Sequence, residues 1–182
     1  MNIIKLKSII SFRKNLFVLL TFGITSIAFL SVSCNNDDTP TQEEKINTML
    51  KEVRKVTSSL TTIESAENLG WNNKLSDCVE HPTEGGMGYH IANMDYMDGR
   101  INHKEPQVLL FASSSNNEGL QLVGVEYIVP FTILPSSAEA PELFFKKFHK
   151  NEDQQIWALH AWTELENPKG TFYDWNPKVS CQ

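Results

Sequence analysis

The apolar positions between residues 41 and 69 recur with the period of a helix. They lie one, three or four residues apart, which places them on a single stripe, at Ile46, Met49, Leu50, Val53, Val56, Leu60 and Ile63. The letters "TQEE" form a capping box in which Thr41 is the N-cap and Glu44 follows three residues later. Gly70 is typical of a C-terminal stop. The pattern predicts one long amphipathic helix over residues 41–69.

Beyond residue 87 the pattern changes to that of strands. Residues 71–87 show neither period and are predicted as a loop, and residues 143–148, "LFFKKF", are predicted as a short helix or an edge strand. Strands are predicted at residues 88–94, 107–114, 120–129 and 155–165. One helix followed by several antiparallel strands indicates an α+β fold. We expect the long N-terminal helix to pack on an antiparallel sheet of about four to five strands, which can curl into a half-barrel.

The first 33 residues have the parts of a secretory signal. Four basic residues, Lys5, Lys7, Arg13 and Lys14, precede an uncharged apolar run at residues 16–32, and no acidic residue occurs before Asp37. The apolar run is at the short limit for a membrane span, so a retained transmembrane anchor is the alternative. We predict a signal peptide at residues 1–33, a polar and acidic tether at residues 34–42 and a single domain at residues 43–182.

Cys34 stands directly after the apolar run, in "LSVSC". A small residue before a cysteine resembles the lipobox of bacterial lipoproteins, although Ser31 holds the place where that pattern usually has leucine. The same residues also fit an ordinary signal-peptidase site. The resemblance implies that Cys34 carries acyl chains and that the protein is exported and lipid-anchored to the cell envelope, at the outer membrane.

The cysteine count supports this interpretation. The chain has three cysteines, and an odd number in an exported protein leaves one thiol to explain. If Cys34 is acylated, Cys78 and Cys181 remain as a pair in a compartment where disulfides persist. The alternative is that both are buried free thiols. We predict a Cys78–Cys181 disulfide.

Charge excludes one class of partner. The signal removes four of the 16 Lys and Arg residues and none of the 22 Asp and Glu residues, which leaves a net charge of −10. This negative charge argues against nucleic-acid binding, which requires a basic face. Electrostatic adsorption to anionic lipid is excluded for the same reason, so membrane attachment depends on the acyl chains. The remaining candidate partners are a small molecule or an envelope protein.

Three ionisable residues interrupt apolar strand faces. Alternation places Glu126 with Leu120, Leu122, Gly124 and Ile128, while His160 shares a face with Ile156, Ala158 and Trp162, and His90 with Ala92 and Met94. A buried carboxylate needs a partner, and a histidine is a natural one. Two imidazoles and a carboxylate are a common ligand set for zinc or non-haem iron. The alternatives are a polar core pair and a metal-free pocket or acid–base site.

The sequence indicates structural roles for the other candidate residues. His81, His103 and His149 are predicted to be exposed in loops, and Asp174 to support the turn before Pro177. Aromatic residues at strand positions are core residues or line a pocket for a sugar or lipid. Local motifs for a serine nucleophile, a phosphate-binding loop or a metalloprotease are absent from the sequence, and no cofactor is predicted.

The C-terminal half resembles a family of uncharacterised exported bacterial proteins. The residues that carry the resemblance are "GGMGYH", "PQVLLF", "LVGVEYIVP", "ALHAW" and "NPKGTFYDWNPKVSC". It implies that the last 100 or so residues form one unit and agrees with the cysteine pairing, but it assigns no activity. The sequence therefore predicts an envelope lipoprotein that serves as a binding or structural module. The alternative is a metal-dependent site or enzyme at His90, Glu126 and His160.

Overall fold

The computed structural model describes residues 39–114 and 117–181. The predicted signal peptide, Cys34 and most of the predicted tether lie outside the described residues. Within this part of the chain, α1 is Gln42–Thr57, α2 is Ile63–Glu67 and a short 3-10 helix spans Met94–Tyr96. The strands are β1 Asn73–His81, β2 Gly85–Ala92, β3 Val108–Ser114, β4 Asn117–Pro130, β5 Glu142–Leu143, β6 Lys146–Lys147, β7 His149–Asn151 and β8 Ile156–Ala161.

The α+β class and the curled antiparallel sheet are confirmed. Six strands form a half-barrel in the order β1-β2-β3-β4-β8-β7, and every neighbouring pair is antiparallel. The segment predicted as a short helix or edge strand is a separate hairpin of β5 and β6. No helix among the described residues is long and apolar enough to cross a bilayer.

The prediction of one helix over residues 41–69 is wrong. The capping box at Thr41 and Glu44 forms as expected, with the Glu44 amide 3.2 Å from the Thr41 hydroxyl. However, α1 ends at Thr57, and a second capping box, made by Thr62 and Ser65, begins α2. Serine and threonine hydroxyls compete for backbone hydrogen bonds, which disfavours helix interiors. Tertiary contact favours the break as well, because the carbonyl of Thr61 accepts a hydrogen bond from the Leu122 amide at 3.1 Å.

The region predicted as a loop at residues 71–87 contains the edge strand β1. Its residues are mostly exposed, and its pairing with β2 shifts register three times. Exposure and irregular register remove the alternation of apolar and polar residues by which strands are recognised. The strand β7 was missed as well. With β1 and β7 at its two edges, the sheet has six strands instead of the expected four to five.

Each face of the sheet carries its own apolar cluster. One cluster joins the sheet to α1, α2 and the β5–β6 hairpin, through buried residues such as Leu50, Val53, Phe111, Tyr127 and Phe144. The opposite face holds a smaller cluster that includes Val108, Ile128 and Trp162, and Val179 of the C-terminal tail packs against it. The tail is therefore part of the domain's second layer.

A β-bulge in β4 sets which side chains lie on each face. Leu110 pairs with Gly124, but the next residue, Phe111, pairs with Leu122, so Val123 is an extra residue in β4. The predicted common face of β4 is consequently wrong in its first half, because Leu120 and Leu122 pack on the helix side. Glu126 lies beyond the bulge. Met94 is also misplaced by the prediction, since it lies in the 3-10 helix and is exposed.

The Cys78–Cys181 disulfide is present and fastens the C-terminal tail to β1. The two Cα atoms are 5.6 Å apart, and 103 residues separate the cysteines in sequence. A second tie lies nearby, where the Gly86 and Asn176 backbones exchange hydrogen bonds of 3.1 and 3.0 Å. These two ties hold residues 176–181 against the β1–β2 edge of the sheet.

Replacing both cysteines with serine should lower the free energy of unfolding by about 2 to 5 kcal/mol, because the loop that the disulfide closes is long. Urea denaturation of the oxidised parent and the double variant measures this difference. Reductant should destabilise the parent and leave the variant unchanged. Equal stability of the oxidised parent and the variant would contradict the prediction.

Candidate metal centre

The structure brings His90, Glu126 and His160 together. One ligand atom from each lies within 4.8 Å of the others, and all three residues are buried. The Nε2 atom of His90 is 3.7 Å from Glu126 Oε2, and the Nε2 atom of His160 is 3.6 Å from Glu126 Oε1. The carboxylate thus lies between two imidazole rings whose centroids are 6.0 Å apart.

The strand register explains this juxtaposition. Glu126 on β4 pairs directly with His160 on β8, so their side chains are neighbours on one face. His90 reaches the carboxylate from β2, across β3, where Val108 is the partner of Glu126. Gly88 permits the close approach of β2, because its φ is +86° and a Cβ atom there would lie 2.4 Å from the Phe111 carbonyl oxygen.

The far nitrogen of each imidazole is held by another side chain. His90 Nδ1 is 3.0 Å from the Ser76 hydroxyl, and His160 Nδ1 is 3.1 Å from Asp174 Oδ1. Both Nε2 atoms are thereby directed at Glu126. Metal-binding histidines show this arrangement, since a second group fixes the tautomer and the orientation of the ring.

Asp174 was predicted only to support a turn, and that prediction missed its main contacts. Its Oδ1 atom also lies 3.3 Å from Nδ1 of His149. Burial raises the pKa of Asp174, but the hydrogen bond with His160 and the charges of His160 and His149 lower it on balance. Asp174 is therefore an anion that holds two histidines.

His149 was predicted to be exposed in a loop, and the loop placement is wrong. It begins β7, its side chain is 38% exposed, and its ring stacks on that of His160 with an angle of 5° between the planes. The other two histidines lie apart from the cluster. His81 was also predicted to lie in a loop, but it ends β1. His103 lies in a loop as predicted, but its side chain is only 20% exposed, because its Nε2 atom contacts Glu52 at 2.5 Å.

The two cluster histidines have opposite pKa shifts. Burial is the largest influence on His90 and lowers its pKa, with only partial compensation from Glu126. Burial also lowers the pKa of His160, but Glu126 and the hydrogen bond to Asp174 together raise it above the ordinary value. The difference arises because His160 has two carboxylates beside it and His90 has one.

A cavity of about 260 Å³ opens beside the cluster, and all three residues contribute to its wall. His149 and Trp175 line it as well, so the C-terminal tail forms one side. Tyr127 and Trp157, aromatic residues at predicted strand positions, lie in the core instead. Trp175 follows Asp174 directly in the chain. The contacts of Asp174 with the two histidines therefore also place Trp175 in the cavity wall.

No protein-family model, no curated protein and no solved structure matches the chain. The chemistry of the site is therefore argued from its own geometry. A buried carboxylate faces two imidazole nitrogens, the imidazoles are oriented from behind, and a cavity gives access. Such a set can bind a divalent transition metal or close a polar core by hydrogen bonding.

In the metal-free protein at pH 6.5, His160 should be protonated and His90 neutral. Because the pKa of His160 is raised in the folded state, its protonation stabilises the fold at pH values below about 6.5, the pKa of an unfolded histidine. This stabilisation is lost as the pH rises through the pKa of His160 in the folded protein. The lowered pKa of His90 acts in the opposite direction, so that its contribution is lost as the pH falls below about 6.5. Imidazole ¹⁵N NMR between pH 5 and 9 measures both pKa values.

Glu126→Gln provides the matched comparison, because it keeps the side-chain shape and removes the charge. The pKa of His160 should then fall. An unchanged pKa of His160 in this variant would show that Glu126 is not the cause of the shift.

Proposed function

We propose that this protein is a metal-binding module, in which His90, Glu126 and His160 hold one zinc or iron(II) ion. The observation that carries the proposal is the Nε2 atom of His160. It is buried without a hydrogen-bond partner, and its distance of 3.6 Å from Glu126 is too long for a hydrogen bond. A buried nitrogen in this position is costly unless something else satisfies it.

The spacing of the ligand atoms suits an ion better than a direct hydrogen bond. Zinc–nitrogen and zinc–oxygen bonds of about 2.0–2.2 Å at a tetrahedral angle separate two ligand atoms by roughly 3.4 Å. The observed separations of 3.7 and 3.6 Å, which run to the two different oxygens of Glu126, are close to that value, and one ligand atom from each residue lies within 4.8 Å of the others. Three protein ligands with access from a cavity are also the arrangement of metal sites that keep a coordination position open.

The alternative is a structural role, in which Glu126 and the two histidines only close a polar core. In that case the cluster would stabilise the fold without binding a metal. Both roles are compatible with the binding or structural module predicted from the sequence. The metal content of the purified protein distinguishes between them.

Full-length protein purified in detergent should contain, or take up, one equivalent of zinc or iron(II). His160→Ala should abolish the bound metal, and Glu126→Gln should weaken binding strongly because it removes the anionic ligand. His103→Ala is the control, since His103 lies outside the cluster and should keep full metal content. Elemental analysis after dialysis gives the stoichiometry.

Absence of metal from the parent after reconstitution, with variants that lose only stability, would contradict the proposal. That result would favour the structural role.

We further propose that the module is anchored to the bacterial envelope through an acylated Cys34. The disulfide supports this, because the chain has three cysteines and two of them are bonded to each other. Cys34 therefore has no cysteine left to pair with in the same chain. The remaining support is the lipobox-like sequence before Cys34 and the acidic composition that follows it.

Cys34→Ser should move the protein from the membrane fraction to the soluble fraction of a bacterial host, since the acyl chains would be its only attachment. Cell fractionation followed by immunoblotting measures the distribution. The Cys78→Ser variant serves as the control, because it should stay with the membrane. Continued retention of Cys34→Ser would contradict acylation.

A further inference from the structure

We propose that the cavity beside the metal centre binds a small organic ligand that combines an oxygen donor for the metal with an uncharged apolar group the size of a benzene ring. This inference rests on the proposed metal site and goes beyond it, because it names the class of molecule that occupies the remaining coordination position.

The position of the cavity determines which end of the ligand faces the metal. His90, Glu126 and His160 lie on neighbouring parts of one sheet face and form part of the cavity wall. An ion held by these three residues has its protein ligands on the sheet side, and the cavity is on the other. A donor atom that enters through the cavity therefore completes the coordination.

The cavity has room for a ring. Its volume is about 260 Å³, and an apolar protein cavity of about 150 Å³ is sufficient for benzene. A benzene ring with one substituent of three or four atoms is thus the size that fits. Much larger ligands would have to extend past the exposed Gln154 into solvent.

The remaining wall is mostly apolar. Six side chains other than the metal ligands supply this apolar surface, namely Leu75, Val79, Met87, Ile128, Ile156 and Trp175. Burying apolar surface of a ligand against these groups favours binding in proportion to the area removed from water. The neutral side chains of Ser76, Asn151 and Gln154, together with the imidazole of His149, complete the wall.

Among the described residues, the cavity wall offers no unpaired cation to a charged group on the ligand, since His149, its one imidazole outside the metal ligands, is paired with Asp174 at 3.3 Å. The described residues that line it include no lysine and no arginine. Phosphate and sulfate groups are usually recognised by such side chains, so the apolar end of the ligand should be uncharged. The metal is then the electrophilic partner for the oxygen donor.

The test uses full-length protein reconstituted with cobalt(II), whose visible absorption bands report changes in coordination. Two probes carry the same chelating group, benzohydroxamate with a ring and acetohydroxamate with a methyl group. Benzohydroxamate should bind at least tenfold more tightly, which corresponds to about 1.4 kcal/mol. A preference of less than threefold would overturn the inference.

Two variants fill the cavity from different strands, Val79→Phe on β1 and Ile156→Phe on β8. Both residues are only partly buried, so either substitution can be accommodated in a folded protein. Each variant should keep its cobalt and its affinity for acetohydroxamate within threefold, and should lose the preference for benzohydroxamate. The control is Ile133→Phe, an exposed position outside the cavity, which should keep the preference.

The outcomes separate the two proposals. Cobalt content is measured before any hydroxamate is added, and a parent that binds no cobalt overturns the metal site and this inference together. A parent that binds cobalt but shows no ring preference overturns the ligand class alone. Retention of the tenfold preference in both cavity-filling variants would also overturn it, because the ring would then bind elsewhere.

Discussion

The buried carboxylate of Glu126 is the constraint on which the rest of this site depends. An ionised carboxylate removed from water is stable only when positive or hydrogen-bonding groups surround it. Glu126 is 4% exposed, and the imidazoles of His90 and His160 lie 3.7 and 3.6 Å from its oxygens. His160 in turn has Asp174 on its other side, so the stability of the carboxylate reaches into the C-terminal tail. The disulfide and the Gly86–Asn176 bridge hold that tail in place, which links the edge of the sheet to the chemistry at its centre.

The sequence alone contained enough information to name the three cluster residues but not their surroundings. His90, Glu126 and His160 each interrupt an apolar strand, and this is a local signal that alternation makes visible. Asp174 gave no such signal, because an aspartate before a proline-containing segment is equally typical of a turn. Its role depends on the tail crossing the sheet, which is a long-range contact. His149 was missed for a related reason, since β7 is three residues long and has no periodicity to detect.

The fold shows the same division between local and long-range information. The capping box at Thr41 was predictable because both partners lie within one turn. The end of α1 was not, because the apolar stripe continues past Thr57, and the contact of Thr61 with β4 that favours the break is long-range. The bulge at Val123 is a further example. It reverses which face the following residues occupy, so an alternation counted from Leu120 assigns the first half of β4 to the wrong side.

The cavity is the feature that distinguishes a binding site from a polar core. A Glu–His cluster that only stabilised the fold would need no cavity beside it, because direct hydrogen bonds in a close-packed interior would satisfy its polar groups. Here a cavity of about 260 Å³ reaches the cluster, and its apolar walls gain nothing from contact with water. Neither Nε2 atom lies within hydrogen-bond distance of Glu126, although a direct contact would stabilise a purely structural group. The cluster is reached by a cavity, its ligand atoms are too far apart to hydrogen-bond, and its imidazoles are oriented by hydrogen bonds at their far nitrogens. Each of these features is costly or unnecessary in a polar core. Together they favour a site whose function is to bind.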